Sequence, residues 1–246
     1  MKVLDDYSPT EPWGLKLYRA VSGAGGPFAR ALLRRRLAEG KEDPARLIER
    51  VGETARPRPD GRLCWIHGAS VGESLSVVPL VERLTAREPG LSALVTTGTV
   101  TSARLMAERL PPRALHQFAP LDHPAFVGRF LDHWRPDMAL FVESEFWPNL
   151  ILKARTAAGF MALVNGRVSP RSFETWKKRP RTIRYLLAQF DFLVAQDHQN
   201  AERLSFLSGR DVPTFGNLKN AAAPLPADEA ALAVLAGEVA DRNVLL

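Results

Sequence analysis

From residue 62 onward the chain alternates between two patterns of apolar spacing. Short continuous apolar runs occupy 63–66, 91–96, 115–118, 138–142, 160–164, 192–195 and 212–215. Their length suits strands buried on both faces. Between them, 74–87, 102–110, 125–133, 150–158, 171–187 and 200–208 carry apolar residues at helical spacing. Strand and helix in turn predict a parallel sheet covered on both sides, an α/β fold with a Rossmann-like sheet. Pro79 falls inside the first of these helices and predicts a kink there.

The first sixty residues read differently. Trp13, Leu15, Leu17 and Tyr18 form an apolar patch, and a Gly/Pro break follows at 22–27. A basic amphipathic helix is predicted over 28–37, with Phe28, Leu32, Leu33 and Leu37 beside Arg30, Arg34, Arg35 and Arg36. Such a helix suits a membrane interface, its arginines meeting anionic headgroups. It equally suits packing on the domain through its leucines. Asp43-Pro44 marks a helix start, and 56–61 a loop. At the other end an Ala/Pro linker at 221–226 leads to a helix at 228–240 and then to Asn243-Val-Leu-Leu246. That last run resembles the opening of another buried strand, so a second domain is expected to follow. The expected layout is a membrane-interface segment at 1–60, a Rossmann-like domain at 61–220, and at 221–246 a linker with the start of the next domain.

Composition narrows this only slightly. With 246 residues, 46% hydrophobic and 24% charged, the chain is of ordinary globular make-up. The single cysteine, Cys64, has no partner for an internal disulfide, which favours a reducing compartment. No run approaches the length of a membrane-spanning helix, and residues 1–10 are too polar for a secretory signal. A net charge of +6 points to an anionic partner.

Ligands of open parallel sheets bind beyond the carboxyl ends of the strands. The residues following each apolar run are therefore the candidates. They are His67, Gly68, Ser70, Gly72 and Glu73; Thr97 and Thr99; Asp122 and His123; Glu143 and Glu145; Asn165 and Arg167; Gln196 and Asp197; Asn217 and Lys219. Gly68 to Glu73 has neither G-x-G-x-x-G nor the lysine of a P-loop. Its glycines allow a ligand close to the backbone, and the helix start behind them favours an anion. Ser70-Val-Gly-Glu73 also fits a capping box, a purely structural use of Glu73. Glu143 and Glu145 share one side of an extended backbone, and one of them is expected to cap the helix after Pro148. Seven basic residues from Arg167 through Arg171 to Arg184 face only Glu174, which suits phosphate or carboxylate. The five histidines lack metal-ligand spacing, and G-x-S-x-G is absent.

Five segments together resemble the Kdo transferase (3-deoxy-D-manno-octulosonic acid transferase) family of lipopolysaccharide synthesis. They are Trp65-Ile-His-Gly-Ala-Ser-Val-Gly-Glu73, Val95-Thr-Thr-Gly98, Glu143-Ser-Glu-Phe-Trp-Pro-Asn-Leu150, Asn165-Gly-Arg-Val-Ser169 with Arg171-Ser172, and Gly216-Asn-Leu-Lys219. They stand in the family's order across 46–219. The resemblance implies a GT-B fold, of which this chain is the N-terminal half. This half would receive the lipid A precursor, and a second Rossmann-like domain would hold most of the CMP-Kdo site. It implies Glu73 as general base, and Glu143 and Lys219 as groups stabilising the transition state. Gly68, Ser70, Gly72, Arg167 and Arg171 are expected to bind substrate, the first three from the open turn and the arginines from charge placement. Inversion at the sugar, no metal and no cofactor are expected, as is peripheral attachment to the cytoplasmic face of the inner membrane. Two departures stand out: the N-terminal segment is less apolar than the family's anchor, and Asn220 and Ala221 replace an aromatic and an acidic residue. Other readings are a different GT-B protein such as a nucleotide-sugar epimerase, or a non-enzymatic module binding anions or nucleic acid.

Overall fold

The computed structural model describes residues 10–68, 70–144, 146–221 and 229–240. Helices α1 (Trp13–Ala24) and α2 (Gly26–Ala38) precede a 3-10 turn at Pro44–Val51. Then come β1 (Arg62–His67), α3 (Val71–Arg87), β2 (Leu91–Thr97), α4 (Val100–Arg109), β3 (Ala114–Phe118) and α5 (Pro124–Trp134). The second half has β4 (Met138–Val142), α6 (Pro148–Ala157), β5 (Phe160–Gly166), α7 (Pro170–Lys177), α8 (Pro180–Leu187), β6 (Phe192–Ala195) and α9 (His198–Ser208). A 3-10 turn at Leu218–Ala221 and α10 (Glu229–Val239) complete the described elements.

The strands form a six-stranded sheet in the order β3-β2-β1-β4-β5-β6, with every pairing parallel. This is the doubly wound Rossmann order, and it reverses direction between β1 and β4. The period-2 alternation of β1 shows how both faces are filled. Leu63 and Trp65 point into a core with Phe130, Trp134, Phe141 and Phe190, against α5, α6, α8 and α9. Cys64 and Ile66 point the other way, against Val77 and Val81 of α3 and Met106 of α4. Burial alone holds the Cys64 thiol pKa up at about 12. Leu15 of α1 belongs to the first core, so the expected apolar patch at 13–18 is split between core and surface.

Three expectations need correction. The run 212–215 is no strand: Thr214 makes one bridge to Ala195, because Pro213 removes a ladder donor in mid-run. The helix expected over 171–187 is two helices, since Pro180 bars Arg179 from helical backbone (φ −132°, ψ 54°). Helix α3 begins at Val71 rather than 74 and continues through Pro79. The strand expected at 243–246 lies outside the described residues.

Candidate active site

The strand order reverses between β1 and β4, the switch point at which a doubly wound sheet has its ligand crevice. Gly68 ends β1. A Cβ there would stand in ordinary van der Waals contact, 3.4 Å from Cβ of Glu73 and 3.8 Å from that of Val142, so the first turn of α3 and the end of β4 both pack against Gly68. Ser70 caps α3 in the expected capping box. Its Oγ accepts from Glu73 N at 3.2 Å and donates to Glu73 Oε1 at 2.8 Å, while Ser70 N donates to Oε2 at 3.4 Å. The box fixes the Glu73 rotamer at the crevice, with the residue buried. A carboxylate has about four acceptor positions, so holding Ser70 does not bar Glu73 from taking a further proton.

Glu143 follows β4 in left-handed backbone (φ 61°), as Asn165 does at the end of β5 (φ 54°). For residues other than glycine that conformation costs about 1 kcal/mol or more and marks a constrained site. It turns the buried Glu143 carboxylate to meet Lys219 Nζ at 3.0 Å and Arg167 Nη1 at 3.8 Å. Both cations are about half exposed. Asn165 Oδ1 accepts from Leu218 N at 3.0 Å, which fixes the turn carrying Lys219. A Cβ on Gly72 would lie 3.9 Å from Lys219 Nζ, so the ammonium sits against the first turn of α3. A cation at a helix N-terminus is poorly placed on its own, and the two together favour an anion between them.

Glu73, Glu143, Lys219 and Arg167 are thus gathered around Gly68, Ser70 and Gly72. Arg171 is not: it is exposed on α7, its side chain making no hydrogen bond or ion pair with the described residues. Glu145 lies outside the described residues. Neither does Glu143 cap α6. That role falls to Asp122, which accepts from Asn149 N at 3.1 Å and Leu150 N at 2.8 Å, and from the Tyr18 hydroxyl at 2.8 Å. Burial raises the Asp122 pKa despite these donors, and raises that of Tyr18 too. Among the described residues no group of three His, Cys, Asp or Glu side chains is placed to hold a metal ion.

Sequence reading assigned no role to Asn165 or Asp122, nor to the turn Pro44–Val51. In that turn Glu49 accepts from Phe118 N at 2.7 Å and from Arg46, and Arg46 reaches His116 Nδ1 at 3.0 Å. Partners about seventy residues away leave no local signal. Asp122 was marked only by its strand-end position, and Asn165 by that and by its place in the segment Asn165-Gly-Arg-Val-Ser169.

The 3-deoxy-D-manno-octulosonic-acid transferase (kdotransferase) family model matches residues 45–222, a span that contains this entire constellation. The chain belongs to that family. The 3-deoxy-D-manno-octulosonic acid transferase of Rickettsia bellii is 35% identical over 94% of this chain and 55% of its own length. That of Haemophilus influenzae is 32% identical over 66% of this chain and 38% of its own, and that of Bordetella pertussis 34% over 72% and 41%. The resemblance drawn from the five motifs is confirmed. The chain spans about half the length, or less, of these Kdo transferases. Among solved structures, the S. aureus MnaA–UDP complex matches with a TM-score of 0.44 and 15% identity, over 74% of this chain and 52% of that one.

Proposed function

We propose that the chain is the acceptor-binding half of a GT-B glycosyltransferase that moves Kdo from CMP-Kdo to a lipid A precursor. The observation that carries this reading is the placement of the Glu143–Lys219 pair against the first turn of α3, the turn that holds Glu73, in a chain of this family. Glu73 takes the proton of the acceptor hydroxyl as its oxygen attacks the anomeric carbon and inverts it. Lys219, held at the start of α3, offsets negative charge on the leaving phosphate or on the Kdo carboxylate. Glu143 sets the position of Lys219 and faces the positive charge that develops on the sugar. A second Rossmann-like domain supplies most of the donor site and excludes water. The exposed Arg171, Lys178 and Arg179 receive phosphates of the acceptor. The epimerase reading is not favoured, since the family and the relatives named above are Kdo transferases.

The test is transfer of label or mass from CMP-Kdo to lipid A precursor. The protein extended to its relatives' length should transfer. Residues 1–246 alone should bind the precursor and turn nothing over. Turnover by 1–246 alone contradicts the half-enzyme reading, and no transfer by the longer protein contradicts the function.

Attachment to the cytoplasmic face of the inner membrane is part of the same proposal. Trp13, Leu17 and Val21 recur every fourth residue on the open side of α1, and with Phe28 of α2 they form an exposed apolar surface. No described helix is long and apolar enough to cross a membrane. Not every arginine of α2 is available to lipid: Arg36 is committed to the buried Glu42 at 2.6 Å and Arg35 to Glu39 at 2.8 Å. Arg30 and Arg34 are exposed and make no ion pair with the described residues. Replacing both with Gln should release much of the protein from anionic vesicles, each contributing about 1 kcal/mol. Cosedimentation unchanged by this variant and by high salt would place membrane contact elsewhere.

A further inference from the structure

At the carboxyl edge of the sheet, bordered by His67 at the end of β1, lies a cavity of about 140 Å³. Ala119, Pro120, Leu121, Trp147 and Leu150 give it largely apolar walls, and His67 closes it on the sheet side. Arg50 and Asp122 also border it, but both are engaged within the protein, Arg50 with Ala119 O and Glu42 and Asp122 as the α6 cap. His67 is 2% exposed, and its Nε2 has no hydrogen-bond partner among the described residues.

The protonation of that nitrogen follows from its neighbours. The Trp65 indole N–H, which can only donate, gives its proton to Thr96 Oγ1 at 2.9 Å. The Thr96 hydroxyl proton then needs an acceptor, and His67 Nδ1 stands 2.9 Å away. With Nδ1 accepting, Nε2 carries the ring's one proton. Burial, and then the nearby Arg50 charge, hold the ring pKa down at about 4, so the ring stays neutral near pH 7. A buried N–H without an acceptor is costly, and the ring that carries this one lines an apolar cavity.

We propose that this cavity is an acyl subsite for the acceptor lipid. The carbonyl oxygen of an ester- or amide-linked acyl chain accepts from His67 Nε2–H, and the adjoining carbons fill the space between Leu121, Trp147 and Leu150. The volume suits a short apolar group, since an engineered protein cavity of about 150 Å³ takes up benzene. Location points the same way. Trp147 is half exposed at the border, and Tyr18 of α1 bonds the Asp122 that lines the wall. The cavity therefore lies between α1 and the end of β1 that leads into the Glu73 turn, where an acylated sugar presenting its hydroxyl to Glu73 would lead its chain. This proposal rests on the acceptor-binding function above and names the part of the acceptor that is read.

The test is calorimetric titration of the 246-residue chain with lipid A precursor in detergent and with its fully deacylated sugar, in wild type, His67→Phe and Leu121→Trp. His67→Phe keeps an aromatic ring and removes the donor, and Leu121→Trp fills the space from another wall. Each should weaken acylated-precursor binding about tenfold, the effect of one hydrogen bond or a comparable loss of packing. Affinity for the deacylated sugar should change less than about twofold. Wild-type affinity between pH 5.5 and 8 should show no step from His67. Two results overturn the subsite and leave the function standing. One is equal wild-type affinity for the two ligands; the other is unchanged precursor binding in both variants, the mark of a cavity holding only water. Phospholipid bound with the same dependence on His67 and Leu121 overturns acceptor recognition in favour of membrane lipid. If wild type binds neither precursor nor sugar, the proposed function falls first and the subsite with it.

Discussion

At the β3 end of the sheet, Glu42, Glu49, Arg46, Arg50 and His116 meet one another beneath the first 3-10 turn. At the β4–β5 end, Glu143 meets Lys219 and Arg167. Both clusters sink carboxylates below the surface, but they differ in what answers the charge. Glu42 pairs with Arg50, both side chains under a tenth exposed, and Glu49 is held by Arg46 and by the backbone of Phe118. Glu143 is answered by two half-exposed cations and sits in left-handed backbone. A carboxylate enclosed by buried donors braces the fold. One held in strained backbone and met by loosely covered cations leaves those cations open to a ligand, and strain of this kind concentrates at functional sites.

Breaking each cluster should show the difference. Glu49→Ala leaves the buried Phe118 N–H without its acceptor and takes one partner from Arg46, and should cost about 1–3 kcal/mol in urea unfolding. A loss under about 1 kcal/mol would place the brace elsewhere. Acid should strike the same region. His67 and His116 hold folded pKa values near 4 and 3, below the ordinary 6.5, so the unfolded chain takes up protons that the folded one refuses. Their neutral burial is fully accommodated above pH 6.5, and stability falls as pH drops toward 4, by on the order of a few kcal/mol. Asp122, with its pKa raised, works in the opposite sense and offsets part of the loss. An unfolding midpoint flat from pH 7 to 5 would mean that these rings are not buried neutral.

At the Glu143 end the readout should shift from stability to rate. Asn165→Ala frees the turn carrying Lys219, and should lower kcat of the complete enzyme about tenfold, roughly 1.4 kcal/mol, with KM for the donor little changed. Asn165→Asp retains the acceptor oxygen and should recover much of the loss; equal defects in both variants would refute the clamp. The smallest stability effect is expected for Glu143→Gly, within about 1 kcal/mol of wild type. Relief of left-handed strain and loss of a buried charge there offset the lost ion pairs and glycine's added entropy. Destabilisation by several kcal/mol would make Glu143 a brace like Glu49.

Much of this was legible in the chain because hydrophobic period fixes element type. Six of the seven apolar runs are strands, and the segments at their carboxyl ends hold Glu73, Glu143 and Asn165 on one edge, with Lys219 brought there by the turn that Asn165 holds. The failures share a cause. Pro180 and Pro213 act through single backbone atoms inside apolar stretches that otherwise read as continuous. The α6 cap comes from Asp122, 27 residues before Asn149, although Glu143 and Glu145 stood nearer in sequence. Nothing local marks Glu143 as left-handed, whereas asparagine at 165 is a residue type that enters this region more readily than most. The contact of Lys219 with Gly72 likewise exists only once the sheet has formed.

The most direct test concerns Glu73, which stands in both worlds as helix cap and as proposed base. Gln at this position satisfies a capping box as Glu does, but it cannot take a proton. Transfer from CMP-Kdo and urea unfolding should be measured together for Glu73→Gln in the complete enzyme. Unfolding is expected to match wild type within about 0.5 kcal/mol, while the transfer rate falls about 10²–10⁴-fold. A rate above about a third of wild type, with the fold intact, would contradict Glu73 as the base.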